Sequence, residues 1–460
     1  MGPTEQLAEY VVKADFKDFP GEVVAQGKWC ILDPIVCALG GIQTEVGQRH
    51  LATALDFGGK PEATLVGSDT KITAAFAAHF NAELANVLDF DDSYKLAQSH
   101  PGGPIVFSAL AVGESVGASG RDIITAVIAG YEVAMRVARA IRSIVDTPSG
   151  RPDVLSNMTY YVFGAAAAAA KLLGLDTERT INAFGIAGST PVNAGQTGTV
   201  SVGKAFKFHD IKYNQGLYAF VGTFAALRAR RLSGPEGVLD GDSFWKCCGA
   251  NTCDHTELTR ELGRTYRIMD MSFKPMCACG WTQAPVTAVW KALEGASVNP
   301  ADIEEIKLFG LPKLMRYEWQ TMQEAQFSTP CAVALAVAGP PAGPAWYTTG
   351  RYREPDIIEL ARKVNFFEDP AAWEPHFKYG KKMCSTEIKL KGGRVLRAHV
   401  DDAKGSPGEN AFTAGDFRQK FMNTVPGTLG DTPAEALWQT LTNLEKVEKI
   451  GDMTGLLAPG

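Results

Sequence analysis

Three carboxylates crowd four positions in Asp89-Phe90-Asp91-Asp92, and a histidine follows shortly after in Ser99-His100-Pro101-Gly102-Gly103. Carboxylates this close repel one another, so some must pair with cations or with free N–H groups at a helix start. His100 is one of seven histidines. It stands in a Pro/Gly loop just ahead of an apolar helix, from which its imidazole can project into a cleft. A group that titrates near neutrality is the usual general acid or base. The plainer account makes Asp91 and Asp92 helix caps and His100 a surface loop residue.

Two further stretches carry cations. Gly203-Lys204-Ala205-Phe206-Lys207-Phe208-His209 leads into a helix. Cations there oppose the helix dipole, which makes sense where they meet an anion, although a solvated basic turn has the same composition. Phe273-Lys274-Pro275-Met276-Cys277 sets one lysine in apolar surroundings at a change of sequence texture. Junctions between structural units favour ligand clefts. Cys277 and Cys279 have no neighbouring histidine in sequence to activate them, and Cys247, Cys248, Cys253 and His255 lack the paired spacing of a zinc site. The expectation is inert thiols and no bound metal.

The elements that must position these residues are mostly helices. Apolar residues recur at helical spacing over Glu22–Leu39, Thr73–Leu88, Pro104–Val116, Asp122–Ile141, Phe163–Leu173 and Tyr213–Arg231. Six consecutive alanines, Ala165–Ala170, predict a central helix that its neighbours approach closely. After about Arg264 the texture changes. Glu304–Phe309, Glu387–Lys391 and Arg394–Val400 read as strands, the last two joined as a hairpin through Gly392–Gly393. Helices are expected between them at Trp281–Leu293, Thr329–Ala338 and Pro355–Lys363, and again at Ala414–Met422 and Thr432–Leu444. The fold class is therefore mainly α with an α+β second domain.

Bulk numbers set the outer limits. The chain has 460 residues, 45% hydrophobic and 21% charged, enough for two or three domains with a large core. A formal net charge of −6 with no basic run gives no reason to expect nucleic acid or a membrane surface as partner. The first residues lack a signal-peptide pattern, and the longest apolar run, around Gly164–Ala170, is short of a membrane span. Nine scattered cysteines suit a reduced, cytoplasmic setting.

In order along the chain, LDFDD with HPGG, GYEVAMR (Gly130–Arg136), FGAAAAAAKLLGLD (Phe163–Asp176), GIAGS (Gly185–Ser189), KPMC (Lys274–Cys277) and AQFSTPCAVALA (Ala325–Ala336) resemble stretches of the MmgE/PrpD family. The resemblance runs from about residue 5 to residue 445. It implies a large all-helical domain made from both chain ends (1–264 and 408–460), a smaller α+β lid (265–407), and a homodimer. Known members dehydrate 2-methylcitrate, decarboxylate cis-aconitate or epimerise iminodisuccinate. All create or protonate carbanion character beside a carboxylate, with no cofactor. By resemblance, His100 is the acid/base, Lys274 grips a carboxylate, and Asp89 and Ser93 hold substrate or orient the site. The family's other lysine corresponds to Lys204 or Lys207.

The departures are specific. A histidine usual before the alanine-rich helix is absent from 153–161, where Tyr160 or Tyr161 can supply a phenol instead. Gln283 stands near the place of a second histidine, and Cys331 near that of a tyrosine. Loss of these groups favours a small organic acid with fewer charges than citrate. The expected function is a lyase or isomerase (decarboxylase, dehydratase or epimerase). The alternative is a catalytically reduced member that binds a small anion or a partner chain without turnover.

Overall fold

The computed structural model describes residues 1–97, 99–141, 160–190, 210–211, 214–247 and 253–459. The fold is predominantly helical with one four-stranded mixed sheet. Each apolar period read from the sequence forms its helix: Gly21–Gly41, Ala74–Asn86, Gly102–Val116, Gly120–Ile141, Tyr161–Leu172 and Gln215–Ala229. Helices at Pro3–Lys13, Glu45–Phe57 and Thr177–Gly188 join them. The last starts where the Asp176 side chain accepts the Arg179 N–H at 2.8 Å, an N-cap that satisfies one orphan donor.

The alanine run is buried on every face, packed by the helices Gly102–Val116, Gly120–Ile141, Thr177–Gly188 and Gln215–Ala229. Small residues set how closely they pack. A Cβ on Gly222 would stand 2.4 Å from that of Ala165, and one on Gly130 would stand 2.8 Å from the Gly164 carbonyl oxygen. Backbone approaches this close exclude side chains at both glycines.

The Gly21–Gly41 helix is long and apolar enough to cross a bilayer by composition. Most of it lies inside this fold, with the charged Asp33 fully buried mid-helix. That buried carboxylate calls for a partner.

The sheet runs in the order Val364–Glu368, Ile303–Gly310, Cys384–Leu390, Val395–Val400. The first pair is parallel and the others antiparallel, with Ile306 opposite both Val364 and Ile388. Buried and exposed positions alternate along the two central strands, and helices Gln283–Leu293 and Thr329–Ala338 pack in the same region. The hairpin turns through Gly392 and Gly393, at φ of 84° and 87°, conformations open to glycine. The expected Pro355–Lys363 helix stops at Ala361, and Val364–Glu368 turns back as the parallel edge strand. Five residues, Val-Asn-Phe-Phe-Glu, are too few for alternation to announce them.

His376 is buried between Trp281 and Trp373, with ring centroids at 5.0 and 6.2 Å. Burial, then the cations Lys382 and Lys313, bring its pKa down to about 4. The folded chain thus keeps it neutral where the unfolded chain, at the ordinary 6.5, takes a proton. Stability should fall as pH drops from 6.5 towards 4, by up to about 3 kcal/mol from this group. Urea melts of His376→Gln at pH 7 and pH 4.5 should show a smaller pH dependence than the parent. An equal dependence would remove His376 from that account.

Candidate active site

The Ala74–Asn86 helix ends in a turn that puts Asp89 at φ 50°, the left-handed region that Asp tolerates better than most residues. From this turn the three acids go separate ways. Asp89 meets Lys274, whose Nζ lies 2.5 Å from its Oδ1 and 2.8 Å from its carbonyl oxygen. Asp91 accepts from the side-chain amides of Asn86 (3.0 Å) and Gln215 (3.1 Å). Asp92 accepts from the Tyr131 hydroxyl (2.6 Å) and from the Gly102 N–H (3.0 Å) at the start of the next helix. Burial, with Asp33 as a further anion, holds the Asp92 carboxyl well above the usual range. Cation pairing and helix-start pairing, both expected of the cluster, both occur.

His100 is buried rather than a surface residue. Its Nδ1 lies 2.7 Å from the Asp92 carbonyl oxygen. A carbonyl only accepts, so Nδ1 carries the proton and the neutral ring keeps its lone pair on Nε2. Nε2 points towards Asp89, 3.8 Å from Oδ1. Burial lowers the imidazole's proton affinity and Lys274 lowers it further, against Asp91 and Asp89. For Lys274, burial disfavours the ammonium, but Asp89 and Asp91 outweigh it and the pKa ends above the usual lysine value.

Two backbone bridges bring these groups together. Ser93 and Ser272 exchange N–H···O bonds of 2.8 and 2.9 Å, setting Lys274 under Asp89. Tyr94 and Ser99 pair likewise and present His100. On the other side of this segment the Phe273 N–H donates to the Gly405 carbonyl at 2.9 Å. Gly405 is required there, because a Cβ would stand 1.9 Å from the Phe273 oxygen.

Of the other expected residues, Ser93 and Gln283 line one cavity together with Lys274. The Gln283 amide also donates to the Ala278 carbonyl at 2.7 Å and so ties down the loop after Lys274. Tyr160 is buried and packs edge-on against Tyr161, ring centroids 4.8 Å apart. Tyr161 is the one set against His100, its hydroxyl accepting the His100 N–H. Lys204 and Lys207 lie outside the described residues, as does most of 153–161.

Sequence reasoning missed a second buried ammonium. Lys420, on the Ala414–Met422 helix, lies 2.6 Å from Asp33 Oδ1 and 2.7 Å from the Phe90 carbonyl oxygen. It braces the Asp89–Asp92 turn from behind, over the Phe90 ring at 3.8 Å. The available signal was Asp33 itself, an unexplained charge within an apolar helix. Tyr347 was also missed; it is buried beside Cys331 and Cys277 and donates to the Cys277 carbonyl at 2.6 Å.

Among the described residues seven cysteines are free, and burial raises the thiols of Cys30, Cys37, Cys277 and Cys331. Asp89, Asp91 and His100 could each offer a ligand atom to a metal, all within 4.8 Å of one another. The Lys274 ammonium already stands at Asp89, so a metal ion would have to displace it or bear its repulsion. Without a metal, the arrangement offers a fixed cation, an oriented imidazole and a bridging carboxylate in dry surroundings. That combination can bind an anion and move a proton at the atom beside it.

The MmgE/PrpD N-terminal domain matches residues 5–250 and the C-terminal domain residues 276–446. The chain is 26% identical to the cis-aconitate decarboxylase of Mus musculus, over 99% of this chain and 93% of that protein. It is 26% identical to that of Homo sapiens, over 99% and 94%. A cis-aconitate decarboxylase of Aspergillus terreus is 29% identical over 66% of this chain and 64% of its own length.

Proposed function

Because the chain belongs to the MmgE/PrpD family, we propose that it is a cofactor-independent lyase that decarboxylates a small unsaturated or similarly activated organic acid. The carrying observation is the buried Asp89 carboxylate with Lys274 Nζ at 2.5 Å and His100 Nε2 at 3.8 Å. The decarboxylases among its relatives favour this reaction over dehydration or epimerisation. So does the chemistry. Decarboxylation needs no base to begin, only charge stabilisation and one acid, which suits a site without the further family histidines.

In this reading Lys274 and Ser93 hold a retained carboxylate. The C–C bond to the departing carboxylate breaks, its electron pair stays on the substrate carbon, and CO2 leaves. Charge developing towards the enediolate falls beside the Lys274 ammonium. His100, neutral at rest, takes a proton from solvent onto Nε2 as negative charge builds beside it, and gives that proton to the carbon, which returns the ring to its neutral form. Asp89 orients both cationic groups, and Gln283 fixes the loop that carries Lys274. Tyr160 and Tyr161 frame His100, and Lys204 or Lys207 adds a further contact to the substrate. The same reading sets the site between a helical body of residues 1–264 and 408–460 and a lid of residues 265–407. It also makes the chain a cytoplasmic homodimer.

The test is incubation with cis-aconitate and related small acids in D2O, followed by CO2 release and mass spectrometry of the product. One deuterium should enter at the carbon that lost CO2. Deuterium exchange without CO2 release would move the reaction to epimerisation. Neither signal with any acid would leave the chain a binder without turnover.

A further inference from the structure

The GYEVAMR stretch, Gly130–Arg136, has no part in the chemistry above, yet it carries a fully buried ion pair. Glu132 and Arg136 stand one turn apart on the Gly120–Ile141 helix, with Arg136 Nε 3.3 Å from Glu132 Oε2 and both side chains 0% exposed. Neither group spends its remaining capacity within the helix. Arg136 Nη1 donates to the Arg260 carbonyl at 2.7 Å and Nη2 to the Thr265 carbonyl at 3.0 Å. Glu132 Oε1 accepts the Ile268 N–H at 3.1 Å. Three points of the 260–268 segment are thus fixed to one helix. Burying two charges is costly, and apolar side chains would pack the same helix without that cost. The pair is informative for what it holds rather than for the stability it adds.

It holds the approach to Lys274. Just beyond Ile268, Ser272 exchanges backbone hydrogen bonds with Ser93, and Lys274 follows. The facing half is fixed by the same helix. Tyr131, next to Glu132, donates to Asp92 Oδ2 at 2.6 Å, and Asp92 immediately precedes Ser93. Adjacent residues of one helix therefore set both sides of the Ser93–Ser272 bridge. The 260–268 segment needs such anchoring, because Glu261 sits at φ 50°, a conformation that a non-glycine residue keeps only when its surroundings hold it. A planar guanidinium spans two carbonyls and a carboxylate at fixed angles, whereas an ammonium does not.

We propose that Glu132 and Arg136 are positioning residues, a buried clamp that sets the register in which the segment from Arg260 to Ser272 delivers Lys274 to Asp89. The clamp touches no substrate. It acts by placing the Lys274 ammonium, and its effect on turnover rests on the proposed lyase reading. Loss of a carbonyl anchor lets Ser272 shift against Ser93. The ammonium then meets an incoming carboxylate at longer range, where a charge-assisted hydrogen bond weakens. Burial pushes the Glu132 carboxyl up to about 7 against the pull of Arg136. The clamp is therefore tested at pH 8, where both partners are charged.

Amide hydrogen exchange on the full chain reads the clamp without any substrate. In Arg136→Lys, which keeps a cation but cannot span both carbonyls, the Ser93 and Ser272 N–H groups should exchange about tenfold faster than in the parent. Protection in the Ile303–Gly310 strand should not change. Should Arg136→Lys fail to fold, the pair Glu132→Gln, Arg136→Met removes both charges, strands neither, and should give the same local change. Kinetics on the acid that releases CO2 then read the consequence. KM should rise about tenfold, the worth of one charged hydrogen bond, with kcat within about threefold because His100 keeps its place. Unchanged exchange at Ser93 and Ser272 would overturn the proposal. A rise spread equally over the sheet would do the same by making the pair a general stabiliser, and so would faster local exchange with an unchanged KM. Faster local exchange in a chain that decarboxylates no acid would leave the clamp standing and sink the lyase reading alone.

Discussion

Replacing His100 by alanine should lower kcat by about 10²–10⁴, the usual worth of a positioned acid, or about 3–5 kcal/mol in the barrier, with KM little changed. The structure makes this test sharp. The His100 ring has its Nδ1 proton committed to the Asp92 carbonyl, so only Nε2 is left to serve the substrate. The backbone N–H is held separately by Tyr161 and survives the substitution. The pH profile gives a second reading. Burial and Lys274 keep the free imidazole neutral at pH 7. If His100 donates the proton, kcat/KM rises as pH falls below 6.5 and levels off only below its lowered pKa. A rise in the opposite direction would make His100 a base, and a variant with parental kcat would place the acid elsewhere.

Lys274→Met should have the larger effect on the folded state. The pair it makes with Asp89 is almost fully buried, with side chains 3% and 0% exposed. Removing one partner strands a carboxylate in a dry interior, which typically costs about 3–5 kcal/mol. The double variant Asp89→Asn, Lys274→Met removes both charges and should regain most of that loss in urea melts, but no activity. Recovery of stability without recovery of turnover separates the structural role of the pair from its role in holding substrate. A single variant as stable as the parent would mean that the two groups do not meet in the folded chain.

What the sequence disclosed follows from the range of the forces involved. Helical periods are local, and the core helices stand within a few residues of where the apolar spacing put them. Capping residues such as Asp176 and the glycines of the 392–393 turn announce themselves because their chemistry acts over two or three residues. His100 and Lys274 were legible as chemically suited residues, and the family resemblance linked them. Their convergence on Asp89 was not, since it depends on the Ser93–Ser272 bridge, a pairing with no periodicity to betray it. Lys420 and Lys95 look in sequence like ordinary solvated lysines. Only tertiary structure sets the one against Asp33 and the other against Asp402. The edge strand Val364–Glu368 is short, and its parallel partner Ile303–Gly310 lies several helices away rather than across a turn.

The brace between Asp33 and Lys420 joins positions 387 residues apart. A ribosome adding about 5–20 residues per second delivers the second roughly 20–80 s after the first. Throughout that interval Asp33 cannot be buried against the ammonium that meets it in the folded chain. The turn that bears Asp89 lacks its rear support for just as long. Competence therefore waits for the Ala414–Met422 helix, and a product cut short before it should be a substrate for quality control rather than a weak enzyme.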